Sequence, residues 1–208
     1  MLREMPCRLL HANPLVAVSD GFLSPEACGA LIARAEGRLT RAQVGLDGAE
    51  LTVSEARTNA DCALHPDEVP EARDLMGQLA RIVALPASHG EGVSVLHYSE
   101  AQEFKPHVDG IWSGAAAEER AAFEADGGQR LFTAMVYLNE VEAGGGTAFP
   151  KLGFRVAPQT GRLLIFANTG AGDRDQCALA AHAGEPVTAG EKWAAVTWWR
   201  ERPYNAGS

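Results

Sequence analysis

The second half of the chain is a series of short β-prone runs separated by turn residues, and this pattern constrains the fold more than any other feature. The runs are rich in valine, leucine, threonine and aromatic residues, which favour strands. In order they read GVSVLHY, FKPHVD, LFTAMVYLN, TAF, FRVA, RLLIFAN and WAAVTWW. Many short strands at close spacing favour an antiparallel barrel or jelly roll, so we predict a mainly β fold with flanking helices.

Two amphipathic helices are predicted ahead of this series. Ser24 is a typical N-cap, Pro25 lies in the first turn, and apolar residues then recur at helical spacing until Gly37. The second helix is predicted from about Pro70 to Leu85 and should end at Pro86. Between the two helices we predict a hairpin-like stretch that contains glycine. Both helices should pack on the outside of the sheet.

An Ala- and Glu-rich segment interrupts the β series at residues 113–128, immediately after the strand that contains Asp109. Its composition predicts a helical excursion. Such an excursion would overhang whatever site Asp109 belongs to. We expect residues 40–60 and 112–128 to form the walls or lid of that site, because variable connecting segments of this kind decide specificity.

The length of 208 residues is typical of one domain. We predict a single unit over 1–208, with helical support over about 1–90 and a β core over about 91–203. A formal net charge of −9 opposes binding to polyanions, so we expect neither a nucleic-acid nor a membrane partner. No apolar run approaches the roughly 18–20 residues that span a bilayer.

The cysteines and the first residues indicate the compartment. None of the four cysteines forms a CxxC pair, which argues against a zinc knuckle or a disulfide framework. The start MLREMPCRLLHANP carries charges and two prolines where an export signal needs an apolar stretch. We therefore expect a cytoplasmic protein.

The spacing of His107 and Asp109 in FKPHVDG predicts a metal site. Side chains alternate faces along a strand, so these two lie on one side and Val108 on the other. His182 is the one histidine downstream of the pair and is the candidate for a third ligand from a distant strand. Two imidazoles and one carboxylate form the facial triad that holds Fe(II) and leaves positions open for a co-substrate and O₂.

Lys192 follows the third candidate ligand by ten positions. The chain has three lysines and fifteen arginines, so a lysine has a lower probability of occurring at this position by chance. Its ammonium could bind a carboxylate several ångströms from the metal, and 2-oxoglutarate is a metal-chelating 2-oxo acid with such a distal carboxylate. Arg200 and Arg202 are the alternative cations for the same role.

Taken in order, these segments resemble the prolyl 4-hydroxylase family of Fe(II)- and 2-oxoglutarate-dependent dioxygenases. The resemblance covers almost the whole chain, from PLVAVSDGFLSPEACGALIARAE through VLHYSEAQEFKPHVD, GGQRLFTAMVYLNEVEAGGGTAFP and GFRVAPQTGRLLIFAN to HAGEPVTAGEKWAAVTWWRERP. It implies a double-stranded β-helix, a jelly-roll core of the cupin type. It also implies hydroxylation of an aliphatic C–H in a prolyl-type or other amino-acid or peptide substrate, with release of succinate and CO₂ and with ascorbate in support.

The resemblance implies a role for eight residues, and a ninth candidate, Trp198, comes from its place in the last strand. His107, Asp109 and His182 would bind iron, and Lys192 would bind 2-oxoglutarate with Tyr98, Tyr137 and Thr147 in the same pocket. Arg57, in the segment ART, and Trp198, in the last strand, are the candidate substrate contacts.

Three alternatives remain open on the sequence alone. The same iron site could support desaturation or cyclisation of a small molecule, because the outcome depends on substrate placement. A cupin-like module could instead hold a structural metal or sense 2-oxo acids without catalysis. The oligomeric state is also open, and a homodimer is compatible with the sequence.

Overall fold

The computed structural model describes residues 6–44, 52–111 and 114–205, which form three α-helices and fourteen β-strands. The helices are α1 (Pro25–Ala35), α2 (Pro70–Val83) and α3 (Ala117–Ala125). The strands are β1 (Arg8–Ala12), β2 (Leu15–Ser19), β3 (Thr40–Arg41), β4 (Ala60–Leu64), β5 (Val93–Tyr98), β6 (Phe104–His107), β7 (Arg130–Tyr137), β8 (Ala143–Gly144), β9 (Thr147–Phe149), β10 (Phe154–Val156), β11 (Leu163–Ala167), β12 (His182–Gly184), β13 (Val187–Ala189) and β14 (Lys192–Arg200).

Two antiparallel sheets make up the core of the fold. The larger sheet has eight strands in the order β1-β2-β11-β7-β14-β5-β4-β3. The smaller sheet has four strands in the order β10-β9-β12-β6, and the pair β13-β8 lies beside it. The two main sheets face each other as a jelly roll, which is the double-stranded β-helix that was predicted.

Side chains along the central strands point alternately to the two faces of the larger sheet, so the interior has two apolar layers. On β7, Ala134 and Val136 face the helices, whereas Met135 and Tyr137 face the smaller sheet. The first layer includes Leu31 of α1 and several residues of α2. Because successive side chains point to opposite faces of a strand, one strand contributes to both layers. The helices therefore support the outer face and leave the inner face free to form a site.

The first two helices follow the sequence signals closely. The Ser24 hydroxyl accepts a hydrogen bond from the Ala27 amide at 3.3 Å, so the predicted N-cap is confirmed. The second helix begins at Pro70 as predicted and ends at Val83, two residues before the predicted end. Ala84 takes a left-handed conformation with φ of 56°, which stops the helix ahead of Pro86.

The excursion after Asp109 contains α3, so the helix predicted within 113–128 is confirmed. Phe123 anchors it through a fully buried ring. The hairpin predicted between the first two helices corresponds to β3 and β4, which pair antiparallel, while residues 45–51 of that stretch lie outside the described ranges.

The N-terminal region departs from its predicted helical character. The strands β1 and β2 form a hairpin, and β2 pairs with β11, so the region before residue 90 contributes four strands to the larger sheet. The division of the chain at about residue 90 stays a prediction. All four cysteines are free thiols. Over the described ranges, no helix has the length and apolar character needed to cross a bilayer.

Candidate metal and co-substrate site

The three predicted metal ligands lie close together, at the end of β6 and the start of β12 in the smaller sheet. His107 ends β6, Asp109 follows two residues later, and His182 begins β12 directly opposite His107 in the strand pairing. Each offers one ligand atom, and these atoms lie within 4.8 Å of one another. The Nε2 atom of His107 is 3.5 Å from Oδ1 of Asp109, and the Nε2 atom of His182 is 3.6 Å from Oδ2.

Backbone hydrogen bonds fix the tautomer of both imidazoles. Nδ1 of His107 donates to the Lys105 carbonyl at 2.8 Å, and Nδ1 of His182 donates to the Ala180 carbonyl at 3.1 Å. A carbonyl only accepts, so the proton is on Nδ1 and the Nε2 lone pair faces the cluster. Metal-binding histidines are typically oriented in this way. The donor set and its orientation thus fit a divalent transition metal such as Fe(II).

Aromatic rings hold the two imidazoles in place. The ring of Phe104 stacks on His107 with centroids 3.6 Å apart, and Phe166 lies against His182 at 4.5 Å. The two histidine rings are themselves 4.3 Å apart. This packing limits ring rotation, so the Nε2 atoms are positioned before any ion arrives.

Burial and charge set the protonation states needed for metal binding. Burial lowers the pKa of His182 to about 4, although Asp109 works against the shift, so its imidazole is neutral at neutral pH. Burial alone would raise the pKa of Asp109. The proximity of the His182 and His107 imidazoles and the hydrogen bond from Thr133 outweigh burial and hold the pKa of Asp109 well below its ordinary value. The carboxylate is therefore ionised.

Lys192 lies at the inner end of the same cavity. It is the first residue of β14, pairs with Tyr98 of β5, and is only 2% exposed. Its Nζ lies 4.9 Å from the centre of the Tyr98 ring and 5.5 Å from that of Tyr137. Burial lowers the pKa of Lys192 to about 8, partly offset by the charge of Glu185. Within the described part of the chain, its ammonium makes no hydrogen bond or ion pair.

The predicted pocket partners surround this ammonium. Tyr137 ends β7 and donates its hydroxyl proton to the Thr147 Oγ1 at 2.8 Å. Burial raises the pKa of Tyr98 to about 12, and it raises the pKa of Tyr137 as well, so both phenols remain neutral donors. Thr147 opens β9 and is itself buried. The three residues and Lys192 bring polar groups from four strands to one end of the cavity.

Arg200 and Arg202, the alternative cations, are engaged elsewhere. Arg200 is fully buried, and its Nε donates to Oε1 of Glu91 at 2.6 Å. Arg202 donates to Oε2 of Glu124 at 2.6 Å. Neither lines the cavity that Lys192 shares with the three candidate ligands. Of these three candidate cations, Lys192 is the one that lines that cavity.

Arg57 and Trp198 lie at the outer end, between the inner cavity and an open groove of about 820 Å³. The guanidinium of Arg57 donates to Oδ2 of Asp61 at 2.8 Å and to Oδ1 of Asn59 at 3.1 Å. The ring of Trp198 lies under the guanidinium of Arg130 at 4.5 Å. Both predicted substrate contacts therefore reach the groove, and the Arg57 charge is already paired within the protein.

Described residues from both predicted wall segments line this groove. Thr40, Arg41 and Val44 come from the first segment, and Glu119 of α3 comes from the second. Trp112, in the second segment, lies outside the described ranges.

Sequence reasoning missed four residues near the metal cluster. They are Glu91 and Arg130, which form an ion pair at 2.6 Å beside the groove, and Thr133 and Asn168, which lie behind Asp109. One signal could have found Thr133. It precedes Tyr137 by four residues on one strand and therefore lies on the same face.

Comparison with known proteins decides the family. A model of the 2OG-Fe(II) oxygenase superfamily matches residues 93–200, just over half of the chain. The chain belongs to this superfamily. The predicted cofactor Fe(II) and co-substrate 2-oxoglutarate are confirmed by this membership, as is the predicted class of enzyme, a 2-oxoglutarate-dependent dioxygenase.

Relatives and solved structures agree with the assignment. The protein named probable prolyl 4-hydroxylase 7 of Arabidopsis thaliana is 32% identical over 91% of this chain and 63% of its own length. Probable prolyl 4-hydroxylase 6 of the same plant is also 32% identical, over 94% of this chain and 72% of its own length. The resemblance to the prolyl 4-hydroxylase family is thus confirmed.

Among solved structures, the viral collagen prolyl hydroxylase of Paramecium Bursaria Chlorella virus-1, in complex with 2-oxoglutarate, superposes with a TM-score of 0.68. It is 27% identical, and the match covers 88% of this chain and 94% of that one. A Pseudomonas putida prolyl-4-hydroxylase, 18% identical, matches 96% of this chain and 95% of its own with a TM-score of 0.62, which supports the fold.

Proposed function

We propose that the protein hydroxylates an aliphatic C–H of a prolyl residue in a peptide. In the overall reaction, one atom of O₂ enters the product as hydroxyl and the other enters succinate, while 2-oxoglutarate loses CO₂. The prolyl 4-hydroxylase names of the relatives and the viral neighbour support the reaction and the prolyl class of substrate.

The observation that carries the proposal is a buried ammonium in the cavity that also contains the metal cluster. A charged group out of water is costly unless it is paired. Lys192 is 2% exposed and no carboxylate of the described chain pairs with it, so an anionic ligand is needed to compensate it. The distal carboxylate of 2-oxoglutarate fits this requirement.

His107, Asp109 and His182 would hold Fe(II). The metal supplies oxidative decarboxylation of the co-substrate and hydroxylation of an unactivated carbon. The backbone bonds to Lys105 and Ala180 support this role, because they direct Nε2 of each histidine towards the carboxylate of Asp109.

Lys192, Tyr98, Tyr137 and Thr147 would orient the co-substrate. The ammonium would bind the far carboxylate, while the Tyr98 phenol and the Thr147 hydroxyl, whose oxygen accepts from Tyr137, offer further hydrogen-bond donors. Burial strengthens each of these interactions, because water does not compete inside the cavity. The chelating end of the co-substrate would thereby be directed towards the histidines.

The outer groove supports a peptide rather than a free amino acid. Its volume of about 820 Å³ is in the upper range for ligand sites and far exceeds the size of one proline. It extends from His107 and Asp109 past Arg57 and Trp198 to Arg41 and His65. A segment of several residues could lie along it with one prolyl ring at the metal end.

The experiment is 2-oxoglutarate turnover with Fe(II) and ascorbate, read as succinate and as product with a mass gain of one oxygen. Prolyl peptides and free proline are compared at equal concentration. We expect coupled succinate and hydroxylated product with a peptide. Product from free proline alone would overturn the peptide assignment, and a mass loss of two hydrogens would indicate desaturation or cyclisation instead.

Asp109→Ala is the paired variant for this assay. Removing the carboxylate leaves two imidazoles, which should lower metal binding and bring substrate-dependent succinate to background. Asp67→Ala, an exchange at a carboxylate outside the two cavities, is the matched control and should keep full turnover. Full turnover in Asp109→Ala would contradict the proposed iron site.

A further inference from the structure

Two buried polar residues behind Asp109 have no role in the proposed co-substrate or substrate contacts. Thr133 on β7 is 3% exposed, and Asn168, one residue beyond β11, is 2% exposed. Oγ1 of Thr133 lies 2.6 Å from Oδ2 of Asp109, and Nδ2 of Asn168 lies 3.0 Å from Oγ1 of Thr133. The three side chains form a continuous hydrogen-bonded row that ends on a candidate metal ligand.

The direction of the hydrogen bonds in this row follows from the chemistry of its members. An ionised carboxylate only accepts, so Thr133 must donate its single hydroxyl proton to Asp109. The Asn168 Oδ1 lies 3.3 Å from the same hydroxyl and competes weakly, because the bond to the charged acceptor is shorter. Asn168 therefore donates through Nδ2 to Thr133, and Thr133 donates to Asp109.

The backbone keeps Asn168 in place for this role. Its amide donates to the Leu131 carbonyl at 2.9 Å, and its carbonyl accepts from the Cys177 amide at 2.7 Å. It is thereby tied to β7 on one side and to the segment before β12 on the other. The side chain starts from a fixed point, so it can orient the Thr133 hydroxyl with little loss of entropy.

We propose that Thr133 and Asn168 are positioning residues that reserve one oxygen of Asp109 for hydrogen bonding and leave the other for the metal. The hydrogen bond from Thr133 makes Oδ2 a weaker metal ligand and restrains the rotation of the carboxylate. Asp109 would then fill one coordination position instead of two, which keeps a position open for a ligand from solution. This inference rests on the proposed iron site.

The test measures metal binding by the apo protein with Mn(II), and the visible spectrum of the Co(II) form as a report on coordination. Thr133→Val removes the hydroxyl at nearly constant volume. We expect it to weaken Mn(II) binding about 10–100-fold, the usual effect of losing a group that orients a ligand, and to change the Co(II) spectrum. Thr133→Ser keeps the hydroxyl and should restore both towards the parent protein.

Thr197→Val is the matched control. Thr197 is also buried, lies on the neighbouring strand β14 opposite Ala134, and donates to the sulfur of Met76 away from the metal cluster. We expect its Mn(II) affinity and Co(II) spectrum to stay unchanged. If Thr133→Val does not fold, Thr133→Ala tests the same bond.

A double-mutant cycle tests whether Asn168 acts through Thr133. Asn168→Ala alone should weaken Mn(II) binding by less than Thr133→Val, and it should add little in the Thr133→Val background. If the effects of the two substitutions on Mn(II) binding were additive, the inference that Asn168 acts through Thr133 would be overturned. Parent-like Mn(II) affinity in Thr133→Val would overturn the whole inference, whereas failure of the parent protein to bind metal would overturn the proposed function instead.

Discussion

The two ends of the cavity handle positive charge in opposite ways. At the inner end, Lys192 is buried, and its ammonium has no ion-pair partner in the described chain. At the outer end, Arg57 is paired with Asp61, and Glu91 accepts from both Arg130 and Arg200 at 2.6 Å. Among the described residues, the inner end thus holds a cation that is offset only in part by the charge of Glu185, whereas the cations at the outer end are paired with carboxylates.

This difference indicates which end demands a specific ligand. An unpaired buried charge gains most from a small anion of matching position, so the inner end should select one co-substrate. Paired arginines already have carboxylate acceptors, and their planar groups instead offer stacking surface and a fixed shape. The outer end should therefore recognise its substrate by shape and backbone contacts, and substitutions at the two ends should have different consequences.

The largest expected effect is on stability, at the outer network. Glu91→Gln leaves Arg200, which is fully buried, beside a neutral amide. Breaking a buried ion pair from one side costs about 3–5 kcal/mol, and we expect a loss of that order in the free energy of unfolding measured with urea. Glu71→Gln, which breaks the exposed pair of Arg34 with Glu71, is the control and should change little. Equal effects of the two variants would contradict the account of the network.

The next effect is on co-substrate binding, at the inner end. Lys192→Met removes the charge and keeps much of the volume, so we expect the Kd of 2-oxoglutarate to rise about 100-fold, as for loss of one partner of a buried charge pair. The apo protein should become more stable, because the folded state no longer buries an unpaired ammonium. Lys151→Met, at an exposed lysine, is the control for both measurements. Unchanged affinity would exclude Lys192 from the co-substrate site.

A smaller, graded effect is expected with pH. Burial lowers the pKa of Lys192 to about 8, so above that pH the free site loses its positive charge and binding must recover a proton. The Kd of 2-oxoglutarate should therefore rise with pH above about 8, by up to about tenfold per unit. Below pH 8 the ammonium is already protonated, so the Kd of 2-oxoglutarate should not depend on pH through Lys192. Lys192→Arg keeps its positive charge over this range, so the Kd of 2-oxoglutarate should depend less on pH in that variant. An equal rise in Kd with pH in both proteins would contradict this account.

The smallest effect is expected from Arg57→Ala. Its guanidinium is paired with Asp61 and lies 5.1 Å from the Phe104 ring centre, so its contribution to the groove is mainly shape. We expect KM for a prolyl peptide to rise several-fold while the Kd of 2-oxoglutarate is unchanged. If only the Kd of 2-oxoglutarate changed, Arg57 would be assigned to the co-substrate site at the inner end instead.

The sequence predicts the inner end better than the outer one. The HxD spacing, the one downstream histidine and the scarcity of lysine identify residues whose chemistry is specific, and the structure brings all four to one cavity. Local signals also predict the start of both N-terminal helices, because a cap or a proline acts within one turn.

Long-range pairing is what the sequence does not show. Glu91 and Arg200 are 109 residues apart, and nothing in their local context indicates an ion pair. The strand β2 pairs with β11, far along the chain, and β12 has only three residues, too few for a periodic pattern. Tertiary contacts determine these elements, so the network beside the groove emerges only from the fold.

The central claim is that one cavity holds Fe(II) at the three ligands and the far carboxylate of 2-oxoglutarate at Lys192. An anaerobic titration of the Fe(II)-loaded protein with 2-oxoglutarate tests it directly, through the weak visible charge-transfer band of the chelate. The parent protein should give a saturable band, and Lys192→Met should give the same band at about 100-fold higher 2-oxoglutarate. Bound iron with no band, or equal saturation in the two proteins, would contradict the claim.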